Sequence, residues 1–206
     1  TFILGKKPTG SKDPFGIKRQ IYGIFNILEE QKWDIDVFEL IKMDNEKELH
    51  EFFIQRLENW LVDKGIKIDV ARSVIFDKTK CEPNKIFEKA KFILQNLNNQ
   101  DFLEVINLFK RANNISKDFD KNWEIQENLL EKQEEKLLFE YVKNFEFCSF
   151  DEFLENCLKS KNLIHNFFEN VKVMDENINK KNNRLKILQI LVDKILTFAD
   201  LSEIVI

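Results

Sequence analysis

Glycine and proline are nearly missing from this chain. Five glycines and three prolines punctuate 206 residues, and beyond Gly65 only Pro83 remains. Sheets with tight turns and dinucleotide-binding folds need more of both, so the sequence predicts an all-α protein after its first dozen residues. Two histidines, His50 and His165, are too few for a histidine-built metal centre, and neither has a ligand-spaced partner; His50 reads as a surface or interface residue. Cys81, Cys148 and Cys157 are odd in number and follow no metal spacing, which suits reduced thiols in a cytoplasmic protein. Cys157 and His165 lie eight residues apart, roughly 12 Å on a straight helix, too far for a nucleophile and its base. No apolar run reaches the roughly 18 residues of a membrane span and no signal peptide opens the chain. Neither G-x-x-x-x-G-K-[ST] nor G-x-G-x-x-G occurs, so no phosphate cradle is legible.

What the chain does have is apolar bulk and charge. Hydrophobic residues make up 43%, 20 residues are Phe, and 33% are charged, a composition that builds a core and excludes a disordered segment. The net charge of −4 argues against a non-specific nucleic-acid coat. The charge is unevenly spread. Lys6, Lys7, Lys12, Lys18 and Arg19 stand against Asp13 alone in the first twenty residues, and a basic segment on an acidic body suits local contact with a polyanion. The chain begins at Thr1 inside an apolar Phe2-Ile3-Leu4 run, which suggests a piece of a longer polypeptide.

Apolar spacing predicts a series of helices. Asp13 and Pro14 start one that runs to about Glu30, and Asp36 caps a short one through Met43. Asp44 starts a long helix that stops at Gly65, with Leu49, Phe52, Phe53, Leu57, Trp60 and Leu61 as its stripe. Further helices are expected from Asp69 to Phe76, Pro83 to Leu94, and Asp101 to about Ala112. A highly charged one should span Trp123 to Phe147. Two more are expected over Phe150–Leu158 and Leu163–Val173. The last, Asn179 to about Ala199, has an apolar arc wide enough for a helix buried on several sides. No fixed-period repeat or long linker appears, and one helical bundle is the simplest account.

The stretch Pro8-Thr9-Gly10-Ser11-Lys12-Asp13-Pro14-Phe15, with Arg19 after it, resembles the block P-T-G-S-K-D-P-F-A-L-R-R of the β subunit of bacterial glycyl-tRNA synthetases. Gly16, Ile17 and Lys18 depart from that block. Four later stretches agree in order. Lys110-Arg111-Ala112-Asn113-Asn114-Ile115 is similar to the family's K-R-V-A-N-I. Phe167-Phe168-Glu169-Asn170-Val171-Lys172-Val173-Met174 is similar to its F-F-D-x-V-M-V-M. Asn183-Arg184-Leu185 and Ala199-Asp200-Leu201-Ser202 match its N-R-L and A-D-L-S. The last two also resemble the anticodon domain of arginyl-tRNA synthetases, the DALR fold.

The resemblance implies that residues 1–13 link an upstream HD-type domain to a helical, DALR-like anticodon-binding domain over 14–206. It implies a part that recognises tRNA(Gly) and performs no covalent chemistry itself. Glycine activation with ATP would occur on a separate α subunit of an α2β2 assembly in the cytoplasm, with no cofactor held here and no membrane contact. A helical protein-interaction scaffold and an arginyl-type anticodon domain are the alternatives.

Glycine anticodons present two adjacent cytosines. Unpaired bases are read by stacking and by hydrogen bonds at their Watson–Crick edges, while cations hold the phosphates and set the register. Lys110, Arg111 and Asn114 lie three and four apart near a helix end and are the first RNA-binding candidates; the same residues also suit a helix terminus, with cations at the negative dipole end and Asn114 as cap. Lys181, Asn183 and Arg184, among Lys180 and Lys186, form a second cluster, in which Arg184 suits equally an ion pair across the bundle. Lys18 and Arg19, near Lys12, could touch the tRNA stem, although the surrounding block also suits a structural hinge. Trp33 and Trp123 fall in polar loops, as stacking platforms or as lids over a core edge.

Overall fold

A computed structural model describes residue 13 and residues 16–41, 46–120 and 122–206. Every regular element among the described residues is helical: nine α-helices and two short 3-10 turns, with no strand. The all-α expectation holds. The chain packs as two compact units that meet in sequence at Gln95 and Asn96, whereas apolar patterning alone suggests one bundle. The boundary falls in a polar, asparagine-rich stretch, and Asn99 there accepts hydrogen bonds from Asp101 N at 2.9 Å and Phe102 N at 3.3 Å. That cap starts a new helix and decouples its face from the one before.

The first unit holds α1 (Ile17–Glu30), α2 (Val37–Leu40), α3 (Glu46–Asp63), α4 (Ile68–Val74) and α5 (Pro83–Asn96). The helix α1 begins at Ile17 and not at Pro14: Gly16, with φ +64°, holds the N-cap position, and the Asp13 carboxylate reaches forward from before it to accept from Ile17 N at 2.9 Å and Lys18 N at 3.0 Å. The rest of the Pro8–Phe15 block, and Asp44 as the expected start of α3, lie outside the described residues. Asp36 Oδ1 accepts from Phe38 N at 3.0 Å and also from the distant Cys81 N at 2.9 Å. One carboxylate thus caps α2 and fastens the loop before α5. The helix α3 stops where Gly65 takes φ +90°. Gly65 N donates to Val62 O and Ile66 N to Leu61 O, the paired bonds of a Schellman cap. Trp60 is the centre of this unit. It is 2% exposed, meets Phe25 edge-on at 5.7 Å and Phe87 at 5.5 Å, and donates Nε1–H to Asn26 Oδ1 at 2.9 Å. The indole is buried with its polar handle satisfied.

The second unit holds α6 (Gln100–Ser116), α7 (Gln133–Lys143), α8 (Phe150–Asn170) and α9 (Ile178–Leu196). Both α6 and α7 pack against α8 and α9. Lys161 meets Asp101 and Glu104, while Arg111 meets Phe168, so α6 and α8 run parallel. Tyr141 donates to Asn156 O, and Lys132 to Asn170 O, so α7 runs against α8. Lys180 pairs with Glu131 and Arg184 with Glu135, which makes α9 parallel to α7. The C-terminal ends of α6 and α8 and the N-terminal ends of α7 and α9 therefore share one end of the unit. Deep in the core, Phe198 stacks on Phe153 at 4.0 Å and takes Phe147 and Phe150 on its edges.

Two expected helix spans differ in the structure. Trp123–Phe147 is not one helix: a 3-10 turn at Glu127–Leu129 precedes α7. Asn183 binds Gln126 N and O, and Glu135 binds Glu131 N and Lys132 N, so side chains from other turns take the backbone bonds that a helix would use. Conversely, Phe150–Asn170 is a single helix. The polar run at Lys159–Asn162 does not break it, because Ser160 turns its hydroxyl back onto Cys157 O at 2.7 Å.

Candidate nucleic-acid interface

On α6 the residues Phe102, Val105, Ile106, Phe109, Ala112 and Ser116 face the core. This register turns Arg111 and Asn114 outward, and both are exposed. The Arg111 guanidinium lies over the Phe168 ring, 4.1 Å from its centroid, a cation–π contact between α6 and the end of α8. Lys110 is half-buried and turns elsewhere: its Nζ donates to Ile204 O, tying the C-terminal segment to α6. Two of the three first candidates are thus presented together, and the third is committed to the fold.

The second cluster divides more sharply. Asn183 is 1% exposed. Its Oδ1 accepts from Trp123 Nε1 at 3.1 Å and Gln126 N at 3.0 Å, and its Nδ2 donates to Gln126 O at 2.7 Å. Arg184 is 3% exposed. It donates to Glu135 Oε1 through Nε, and through Nη1 to Lys172 O at 2.9 Å and Asp175 Oδ2 at 2.6 Å. Neither side chain can reach an RNA in this fold, and both are removed from the candidate contacts. Burial pulls the Arg184 pKa down, but its bonds to Glu135 and Asp175 outweigh that and hold it above its ordinary value. Asp175 is held below the usual carboxylate range, first by the Asn177 backbone N–H and then by Arg184. Trp123, hydrogen-bonded to buried Asn183, is a lid on the core edge. Lys181 stays partly exposed at the start of α9, while Lys180 pairs with Glu131 at 2.6 Å.

The fold adds residues that no linear motif marks. Lys132 at the start of α7 donates to Asn170 O, placing a cation on the carbonyl end of α8. Lys172 is exposed in the α8–α9 connection beside exposed Met174 and Ile178. Arg111, Asn114, Lys132, Lys172 and Lys181 therefore stand at one end of the second unit, where Glu131 pairs with Lys180, Asp175 with Arg184 and Glu176 with Lys172. A weak signal existed for Glu135, which lies three residues after Lys132 and accepts the backbone N–H groups before α7, as a capping-box glutamate does. Lys132 and Lys172 carried none, because tertiary contacts alone bring them beside Arg111 and Lys181.

Lys18 and Arg19 belong to the first unit. Lys18 is half-buried in the first turn of α1, and Arg19 is exposed. Trp33 is 51% exposed just past α1. His50 stacks on Phe38 at 3.8 Å with its Nε2 buried. Cys157 is fully buried and burial pushes its thiol far up, while His165 is exposed, so they form no catalytic couple. Among the described residues no group of three or more His, Cys, Asp or Glu could hold a metal ion, and no helix is long and apolar enough to cross a membrane.

The family model described as glycyl-tRNA synthetase beta subunit matches residues 1–76. The glycine–tRNA ligase beta subunit of Aquifex aeolicus is 32% identical over 209 residues, covering 100% of this chain and 31% of that subunit. The corresponding subunit of Bacillus subtilis is 32% identical over 216 residues, covering 100% of this chain and 32% of its own length. That of Oceanobacillus iheyensis is 32% identical over 223 residues, at 98% and 32% coverage. The chain thus spans about a third of the length of these curated relatives. Over that span, through both of its units, it is similar to the β subunit of an aminoacyl-tRNA synthetase, glycine–tRNA ligase.

Proposed function

We propose that the chain is the tRNA-recognising part of a glycine–tRNA ligase β subunit, and that its second unit, Asn96–Ile206, binds the anticodon arm of tRNA(Gly) as a DALR-like domain. The carrying observation is similarity across the whole chain to these β subunits. Support comes from the exposed end of the second unit, where cations, an amide, carboxylates and apolar side chains lie together.

In this reading the cations Lys132, Lys172 and Lys181 hold phosphates and set the register, and Arg111 and Asn114 meet bases. A cytosine offers one amino donor and two acceptors at its Watson–Crick edge. Asn114 can serve either kind of group, and carboxylates such as Glu131 or Glu176 can take the amino groups. Lys110 contributes by positioning the C-terminal segment, and Arg19 of the first unit touches the stem. This part performs no covalent step. The ligase attaches glycine to its tRNA using ATP, with the adenylate formed on a separate α subunit of a cytoplasmic α2β2 assembly.

Binding to a tRNA(Gly) anticodon hairpin at about 50 and about 150 mM salt tests the reading. Changing either anticodon cytosine should weaken binding by about 1–3 kcal/mol, the usual cost of a wrong base in a read site, and this discrimination should survive the higher salt. Binding that ignores the cytosines and vanishes with salt would reduce the role to non-specific contact.

A further inference from the structure

The second unit has two arginines, Arg111 and Arg184, in opposite environments. Arg184 is buried and takes carboxylates. Arg111 is exposed, no carboxylate pairs with it among the described residues, and its guanidinium lies over the largely buried Phe168 ring at 4.1 Å. The ring lies against one side of the guanidinium, and the residue as a whole stays exposed, so the group is open to a ligand on the side away from the ring.

We infer that Arg111, laid on Phe168, is a stacking platform for one unpaired base of the bound RNA. This rests on the reading proposed above and specifies it: the ligand surface met here is a single-stranded loop, not a duplex. A guanidinium is planar and weakly hydrated, and bases splayed from a loop stack on arginine planes as they do on aromatic rings. Asn114, three residues further along α6, is also exposed and can hydrogen-bond the edge of a base so placed. Lys132 is anchored on Asn170 O, two residues beyond Phe168, where it can hold a neighbouring phosphate. A base inside a duplex has both faces covered by its neighbours and cannot use such a surface. If Arg111 acted through charge alone, lysine would replace it; a platform needs the plane.

The test uses the full 206-residue chain, wild type and Arg111→Lys, which changes an exposed side chain and keeps its charge. Binding is measured to the tRNA(Gly) anticodon hairpin, to versions with each loop base in turn replaced by an abasic site, and to a blunt duplex of the same stem. In the wild type one abasic position should weaken binding on the order of tenfold, the scale of a single stacked base. In Arg111→Lys the intact hairpin should lose a similar factor, the same abasic change should cost less than about twofold, and the salt dependence should be unchanged because the charge count is the same. An abasic profile and affinity in Arg111→Lys equal to wild type would overturn the platform while leaving RNA binding intact. A wild-type chain that binds no hairpin better than the duplex would overturn the proposed function and the platform together.

Discussion

Arg184 stands in the most basic stretch of the chain, between Lys180, Lys181 and Lys186, yet is among its most buried charges. The difference lies in the acceptors. Glu135, Asp175 and the Lys172 carbonyl surround the guanidinium, and a buried cation persists only when so compensated. Replacing it by Arg184→Leu should lower stability to urea by about 3 kcal/mol, because Glu135 and Asp175 lose their partner inside the fold. A variant as stable as wild type would show that this cluster does not hold the α8–α9 connection. Asp175 adds a pH signature. Its folded pKa lies below the ordinary value of 3.8, so its stabilisation is complete above that pH and is lost as pH falls through the lower folded value. Between wild type and Asp175→Asn, the stability difference measured by denaturation should shrink as pH is lowered below about 4. A difference that stays constant with pH would contradict the pairing. The sequence makes an ion pair for Arg184 one of two readable options; the identity of Glu135, 49 residues away, depends on the register of α7 against α9 and is not readable.

Helix ends show both what local chemistry reveals and what it conceals. Asp13, Asp36 and Gly65 act where their types suggest, because a carboxylate caps backbone N–H groups and glycine accepts positive φ at low cost. The end of α1 uses the same geometry with the wrong residue. Lys32 N donates to Glu29 O and Trp33 N to Leu28 O, forming a second Schellman cap in which Lys32 has φ +55°. A residue with a Cβ is strained there by about 1–2 kcal/mol, partly offset by the greater unfolded-state freedom of glycine. Lys32→Gly should therefore raise stability by about 0.5–1 kcal/mol in thermal or urea unfolding. A loss of stability would mean that the lysine side chain contributes more than its backbone costs. Trp123–Phe147 departs from one continuous helix for a related reason: its leucine spacing is helical, but Asn183 and Glu135 bind its backbone from other turns.

At the scale of the molecule, composition alone was enough to identify an all-α chain, and the ordered family-like blocks were enough to suggest tRNA recognition. Spacing along α6 was enough to bring Arg111 and Asn114 forward, since one helix face carries its own register. The division into two units, and the meeting of Lys132, Lys172 and Lys181 at one end of the second, were not legible. They follow from the up-and-down order of α6 to α9 and from where α8 turns into α9.

Whether RNA binds at that end is answered by lysine acetylation footprinting with and without the tRNA(Gly) anticodon hairpin. Bound RNA should slow modification of Lys132, Lys172 and Lys181 and leave Lys143, at the opposite end of α7, unchanged. Equal modification of all four with RNA bound, or protection confined to Lys143 and the lysines of the first unit, would contradict binding at that end.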